Sequence, residues 1–169
     1  MKGCIFAVFN DPAAVIKCTE AGVGATLELM LNEEETDPKS EKLSVTGVVK
    51  ALSDGNFIGK HGMTKGQSES LGCSAALEID GITLVMISKR QQCLSADQIL
   101  FIGLDPACAR SVVVKSEVHY RAGFNHIFPP DRIIEINAPG LSSPDHHTFE
   151  WKRTPRPIYP LDGDAVKWP

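Results

Sequence analysis

The chain has 169 residues, of which 43% are hydrophobic and 22% charged, and this is the composition of a folded globular protein. Its formal net charge of −4 excludes the strongly basic composition of many nucleic-acid-binding domains. No apolar run reaches the roughly 18 residues of a membrane span, so we expect neither a nucleic-acid nor a membrane partner. Five scattered cysteines without a C-x-x-C pair indicate reduced, mostly buried thiols in a cytoplasmic protein: Cys4, Cys18, Cys73, Cys93 and Cys108.

The first part of the chain is predicted to form two strands around a helix. Residues 3–9 are almost all apolar, as in a strand that is buried on both faces. Residues 10–12, Asn-Asp-Pro, predict a helix start with a capping side chain followed by proline, and Gly22 predicts the end of this helix. A second strand is predicted at 25–31, and the acid- and lysine-rich residues 32–42 predict a surface loop.

Two Asp-Gly pairs in the middle of the chain predict hairpin turns, because Asp and Gly accept the positive φ that tight turns need. Asp54-Gly55 follows a predicted strand at 43–52. Asp80-Gly81 separates predicted strands at 73–80 and 82–89. The middle of the chain is therefore predicted to form antiparallel sheet.

The last third is predicted to contain a β-α-β unit. A helix from Ser95 to about Ile102 comes first. A β-branched strand at 111–116, a helix at 117–127 and a strand at 132–137 follow, and such units place their strands parallel in one sheet. The predicted fold class is mixed α+β, with antiparallel hairpins in the middle and this β-α-β unit in a mixed sheet. Residues 138–169 are rich in proline and predict an extended tail.

A candidate polar cluster lies at the carboxyl end of the strand 111–116, where open α/β sheets bind ligands. Lys115 and Ser116 end this strand, Ser116 is predicted to cap the next helix, and His119 and Arg121 fall in the first turns of that helix. The cluster could hold a carboxylate or another anion, or polarise a carbonyl while His119 moves a proton. The structural alternative is that Ser116 only caps, that Lys115 and Arg121 pair with acids, and that His119 packs at an interface.

The histidines do not show the spacing of a metal site. Asp145-His146-His147 is a dense group, but adjacent histidines in an extended segment point in different directions, and zinc takes three or four ligands. His61 and His126 have no partner pattern in the sequence. We therefore predict no metal ligands in this chain.

Several segments carry distinctive motifs. Residues 9–15 and 21–26 are FNDPAAV and AGVGAT, residues 112–124 are VVVKSEVHYRAGF, residues 137–145 are NAPGLSSPD, and residues 153–162 are RTPRPIYPLD. In this order they resemble the D-P-x-A-V…A-G-V-G-A-T, V-V-V-K-S-x-x-H-[FY]-R-A-x-[FY], D-x-P-G-x-x-S-P-D and R-x-x-R-P-I-[WY]-P-L-D segments of the C-terminal domain of MlrC-type proteins. These are the microcystinase-like metallopeptidases of family M81.

The resemblance implies a single MlrC C-terminal domain over residues 1–169, with residues 138–169 as its tail. Members of the family are much longer and carry their zinc ligands in a larger N-terminal domain, which is absent here together with the N-P-G-G-G segment before the first strand. Zinc is therefore expected only in that other domain, and no cofactor in this chain. The implied function is an accessory, substrate-covering role in a zinc metallopeptidase, without peptide hydrolysis by this chain alone.

The resemblance also implies a partner, a zinc-domain polypeptide in trans, with Lys115, His119 and Arg121 facing its site. A sheet edge left bare by the missing segment favours a homodimer. Two alternatives stay open. The chain could be a small-anion or carboxylate-binding module without a catalytic role, using the same residues and Ser116, or a folded remnant without activity.

Overall fold

The computed structural model describes residues 3–36, 40–116, 118–137 and 145–163, and the chain divides into two compact units, Met1–Ile133 and Ile134–Pro169. The described residues of the first unit form eight strands and three α-helices. In chain order these are β1 (Cys4–Asn10), α1 (Pro12–Ala21), β2 (Thr26–Leu31), β3 (Leu43–Ser53), β4 (Asn56–Ile58), β5 (Ser68–Ser70), β6 (Ser74–Ile79), β7 (Ile82–Ile87), α2 (Asp97–Leu100), β8 (Ser111–Val114) and α3 (Tyr120–Phe124).

Six of these strands form one mixed sheet in the order β2-β3-β6-β7-β1-β8. β1 is parallel to both of its neighbours, β7 and β8, and the other neighbouring pairs are antiparallel. β4 and β5 form a separate antiparallel pair. The mixed α+β fold class predicted from the sequence is therefore confirmed.

The two faces of the large sheet carry separate hydrophobic cores, because successive residues of a strand point to opposite sides. In β7, Met86 belongs to one core and Val85 to the other. α1 covers the face of Met86, whereas α2 and α3 cover the face of Val85. The buried helix residues in these cores are Ala14, Val15 and Cys18 from α1, Ile99 from α2, and Tyr120 and Phe124 from α3.

α1 begins and ends where the sequence predicts. The Asp11 side chain accepts a hydrogen bond from the backbone N–H of Ala14 at 3.0 Å, and Pro12 occupies the first helical position. The second carboxylate oxygen of Asp11 accepts from the backbone N–H of Asn32 at 2.9 Å. One buried side chain therefore caps the helix and ties it to the end of β2. Gly22, with φ 84°, ends the helix.

The two predicted hairpins have different outcomes. Asp80 and Gly81 have φ values of 48° and 83° and join antiparallel β6 and β7, so this hairpin is confirmed. The hairpin at Asp54-Gly55 is wrong, because β3 does not pair with β4. At the end of β3, β6 already occupies one edge, and β4 pairs with β5 rather than folding back on the other edge.

The predicted strand at 132–137 is also wrong, and with it the β-α-β unit. Residues 133–137 form no strand, and Ile134 and Ile136 are 86% and 76% exposed. Isoleucine favours strands only where a partner backbone and a half-buried surface are present. The parallel pairing of this fold belongs instead to β1 with β7 and β8.

Both helices near the candidate cluster are shorter than predicted. α2 covers Asp97–Leu100 and α3 covers Tyr120–Phe124, whereas the sequence predicted helices at 95–102 and 117–127. Gly123 lies inside α3 and lowers its helix propensity. A tighter turn ends α3, in which the backbone N–H of Ile127 donates to the Phe124 carbonyl at 2.9 Å. Position 117 lies outside the described residues.

The second unit is described at residues 134–137 and 145–163. It contains a short 3-10 helix, His146–Thr148, and a turn closed by an ion pair between Arg156 and Asp162. The backbone N–H of Ile158 donates to the same carboxylate at 2.6 Å. The other residues of the predicted tail, 138–144 and 164–169, lie outside the described part. No helix in the described part of the chain is long and apolar enough to cross a membrane.

Candidate functional site

The carboxyl ends of β1, β7 and β8 lie at one edge of the large sheet, because these three strands are parallel. β1 continues into α1 on one face of the sheet, and β8 leads to α3 on the other. After two neighbouring parallel strands, β1 and β8, the chain therefore turns to opposite faces of the sheet. Open α/β sheets bind ligands at such a divergence, and Lys115 and Ser116 follow β8 at this point.

Polar side chains from the three strand ends lie at this edge. Gln92, in the segment after β7, donates from Nε2 to Ser116 Oγ at 3.0 Å. Asn10, the last residue of β1, donates from Nδ2 to the Ile87 carbonyl at 3.1 Å. These hydrogen bonds connect the end of β7 to β1 and the segment after β7 to the end of β8. Lys115 is exposed beside Ser116.

Ser116 does not cap α3, so this prediction is wrong. α3 begins at Tyr120 with His119 at the N-cap position, and the His119 side chain makes no capping hydrogen bond. Ser116 lies well before the helix start, and its hydroxyl accepts the hydrogen bond from Gln92 instead. α3 has only five residues, so the aligned peptide groups at its start do not by themselves make an anion site.

His119 and Arg121 are exposed, and Tyr120 between them is buried in the core. The guanidinium carbon of Arg121 lies 5.4 Å from the centroid of the Tyr120 ring, within the range of a cation–π contact. The four predicted residues thus lie between the end of β8 and the first turn of α3, a stretch that we call the β8–α3 connection. Among the described side chains, no hydrogen bond or ion pair joins Lys115 to His119.

The sequence prediction missed a second group, which joins three distant parts of the chain: His61, Asp97 and His126. Asp97, the first residue of α2, is buried, and its Oδ2 accepts from the backbone N–H groups of Lys60 and His61, both at 2.8 Å. His61 Nδ1 lies 3.0 Å from Oδ1. An ionised carboxylate can only accept hydrogen bonds, so His61 carries a proton on Nδ1 and Asp97 fixes its ring.

The charge of Asp97 is held in place by these hydrogen bonds. Burial raises the pKa of the carboxyl, but the N–H groups of Lys60 and His61 and the His61 ring outweigh burial, and the pKa lies below its usual value of 3.8. The Ser95 hydroxyl lies 3.2 Å from Oδ2 and adds a further donor. A buried negative charge therefore lies behind the His61 ring at neutral pH.

His126 stacks on His61. Their ring centroids are 3.8 Å apart and the rings are inclined by 11°. Burial and the neighbouring His61 lower the pKa of His126, and Asp97 opposes this shift. The structure therefore brings together the two histidines for which the sequence showed no partner pattern.

Glycines allow the close approach of these segments. A Cβ atom at Gly123 in α3 would lie 2.1 Å from the Leu94 carbonyl oxygen, and the Gly123 carbonyl accepts from the backbone N–H of Ala96 at 3.2 Å. A Cβ atom at Gly62 would lie 3.0 Å from the Gly123 Cα. Gly62 and Gly123 are therefore the residues of the sequence that could have pointed to this group. Their packing role is visible only in the folded chain.

Among the described residues, no group of three His, Cys, Asp or Glu side chains could hold a metal ion. Asp145-His146-His147 has local contacts in the second unit. The Asp145 carboxylate accepts from the backbone N–H of His147 at 3.2 Å, and the His146 carbonyl accepts from Trp151 Nε1 at 2.7 Å. These contacts give the segment a structural role at the 3-10 helix.

All five cysteines are free thiols, and three of them are buried: Cys4, Cys18 and Cys93. Burial raises the pKa of Cys93 to about 12 and that of Cys18 to about 11. The thiolate is the reactive form of cysteine, so these two residues are inert at neutral pH. A hydrogen bond with Asp105 raises the pKa of the exposed Cys108.

Comparison with known proteins decides the family. The family model described as "MlrC C-terminus" matches residues 1–153. The chain belongs to the MlrC C-terminus family. The match includes both the β8–α3 connection and the His61–Asp97–His126 group, and it confirms the resemblance inferred from the sequence motifs.

Two relatives of this MlrC C-terminus chain are much longer than it is. Microcystinase C of Sphingomonas sp. is 28% identical over 162 residues, which are 96% of this chain and 30% of Microcystinase C. A crystal structure from Mesorhizobium sp. BNC1, provisionally named a metallopeptidase, covers the whole chain with a TM-score of 0.79 and 25% identity. The match covers 33% of that protein. The chain therefore spans about a third of the length of these relatives.

Proposed function

We propose that this chain is the accessory, substrate-covering part of a zinc metallopeptidase of family M81, and that it hydrolyses no peptide alone. The observation that carries this proposal is that the chain matches only about a third of the length of each relative. About two thirds of Microcystinase C and of the Mesorhizobium protein lie outside the match. The resemblance to MlrC-type proteins assigns the zinc to that other part, where the metal would activate the attacking water.

The β8–α3 connection is the part of this chain that would face the metal site. Lys115, His119 and Arg121 are exposed along it. Lys115 and Arg121 would bind a carboxylate or carbonyl oxygen of the substrate through charge-assisted hydrogen bonds. His119 would exchange a proton with the leaving amine. The location at the diverging ends of β1 and β8 supports this assignment.

A reconstitution experiment tests the proposal. The chain incubated with zinc should show no peptide hydrolysis alone, and activity should appear when a zinc-domain polypeptide from the same genome is added. In the mixture, Lys115→Ala should lower kcat/KM about tenfold, the loss expected for one charged contact to substrate. Lys17→Ala, which breaks an exposed ion pair with Glu33, is the matched control and should leave kcat/KM unchanged. Hydrolysis by the chain alone, or full activity of Lys115→Ala, would contradict the proposal.

A second candidate function is a small-anion or carboxylate-binding module without a catalytic role. The exposed Lys115 at the diverging strand ends favours it, since the site does not need a catalytic partner to bind an anion. Isothermal titration with phosphate and with succinate should then show binding that Lys115→Ala abolishes and Lys17→Ala retains. No heat of binding at millimolar ligand in the unmodified chain would exclude this function.

The proposal includes a cytoplasmic location and self-association as a homodimer, besides the zinc-domain polypeptide as partner. The five free thiols support a reducing compartment. β2 and β8 are the edge strands of the large sheet in the described residues, and an open edge can pair with a second copy. Light scattering that shows a monomer at all concentrations would contradict the homodimer.

A further inference from the structure

We infer that Asp97, His61 and His126 form a proton-sensitive latch that holds the segment 59–67 against α3. The three residues come from different elements: His61 from the segment after β4, Asp97 from α2, and His126 from the turn after α3. Asp97 binds the segment through two backbone N–H groups and the His61 ring. His61 in turn stacks on His126 at 3.8 Å.

The latch supplies the hydrogen bonds between the Asp97 side chain and the segment 59–67 that attach this segment to α2. The other backbone hydrogen bonds of the segment are largely internal, such as Gly59 N–H to the Gln67 carbonyl at 3.0 Å and Gly66 N–H to the Gly59 carbonyl at 2.7 Å. Met63, in the middle of the segment, is exposed. The segment is therefore a small self-contained loop, and the latch and the close Gly62–Gly123 contact join it to α2 and α3.

Protonation acts against the closed latch. The carboxylate of Asp97 can balance one imidazolium, but a second positive charge would lie 3.8 Å from the first ring with no second carboxylate in the group. Burial and His61 already lower the pKa of His126 in the closed form, whereas opening returns it toward its usual value of 6.5. Below that pH the open form binds more protons, so a falling pH favours opening.

The charged groups on the neighbouring elements do not reverse this effect. Lys60 and Lys65 are exposed on the segment itself, and His119 and Arg121 are exposed around the start of α3. Glu69 on β5 accepts a hydrogen bond from Gln91 Nε2 at 3.1 Å. Within the described residues, Asp97 is the carboxylate that directly contacts the histidine pair, so each added proton increases the positive charge around it.

Opening of the latch also affects the candidate site at the β8–α3 connection. His126 lies two residues beyond the end of α3, and the same short helix carries Arg121 and follows His119. Opening of the latch therefore loosens the element that positions two of the proposed binding residues. The latch goes beyond the proposed function and does not depend on it, because it acts within the chain alone.

Hydrogen exchange of the isolated chain, followed by mass spectrometry at pH 7.5 and pH 5.5, tests the latch. After correction for intrinsic exchange, opening of peptides over 59–67 and 119–127 should increase severalfold at the lower pH. About tenfold per pH unit is the ceiling for one titrating group. His126→Phe keeps an aromatic ring that does not titrate, and it should lose the pH response.

A matched control and a second variant make the result specific. His147→Phe removes an exposed histidine of the second unit and should keep the response of the unmodified chain. Asp97→Asn should increase opening at pH 7.5, because it removes the charge that holds Lys60 and His61. Equal opening of the unmodified chain at both pH values, or an undiminished response in His126→Phe, would overturn the latch without bearing on the peptidase proposal.

Discussion

Gly123→Ala should lower the free energy of unfolding by about 3 kcal/mol, the upper range for overpacking a dense site. The added Cβ would lie 2.1 Å from the Leu94 carbonyl oxygen and 2.4 Å from the Ser95 Cα, and both are backbone atoms that cannot rotate away. α3 would have to move from α2, and the Ala96–Gly123 hydrogen bond would lengthen with it. Urea denaturation followed by far-UV circular dichroism measures the loss.

Gly66→Ala is the matched control for this substitution. A Cβ at Gly66 meets nothing within 4 Å, although the φ of +81° makes alanine unfavourable there. We expect a loss of about 1 kcal/mol from backbone strain alone. If Gly123→Ala costs no more than Gly66→Ala, the close packing of α3 against the Leu94–Ser95 backbone is not a feature of the protein.

Asp97→Asn should cost about 2–4 kcal/mol at pH 7, because a buried charged acceptor is replaced by a neutral amide that also carries donors. Two backbone N–H groups and the His61 ring would lose their charged partner. Asp54→Asn is the matched control, because Asp54 is exposed and the hydrogen bond that it accepts from the backbone N–H of Asn56 can be kept by an amide oxygen. We expect a change of less than about 0.5 kcal/mol there.

The pH dependence of this loss gives a second check. The folded-state pKa of Asp97 lies below its usual 3.8, so the carboxylate contributes stability above that pH. This contribution disappears as the pH falls through the folded-state pKa, and the difference between the unmodified chain and Asp97→Asn should shrink there. A difference that stays constant from pH 7 to pH 3 would show that the charge of Asp97 does not stabilise the fold.

Local signals were sufficient for part of the fold. Asp11 and Pro12 set the start of α1, and the positive φ values of Asp80 and Gly81 close the β6–β7 hairpin, because both depend on neighbouring residues alone. The strand predicted at 132–137 failed because pairing requires a partner strand, which no local pattern supplies. The hairpin at Asp54-Gly55 failed for the related reason that β4 pairs with β5, a partner further along the chain that the local turn signal does not reveal.

Sequence patterns could predict only the part of the candidate site that lies on the β8–α3 connection. Lys115, Ser116, His119 and Arg121 are close in sequence, and the strand that precedes them made their location at a sheet edge predictable. His61 and His126 are 65 residues apart, and their contact depends on how the segment 59–67 packs against α3. Periodicity and spacing do not carry such information, so the pair became visible only in the folded chain.

The zinc content of the purified chain, after incubation with zinc and gel filtration, tests the proposed function most directly. If the catalytic metal belongs to a part of the enzyme outside this chain, mass spectrometry should find far less than one zinc per chain. Stoichiometric zinc would contradict the proposed function and make this chain a metal-binding domain in its own right. The first residues to test would then be Asp145, His146, His147 and His119.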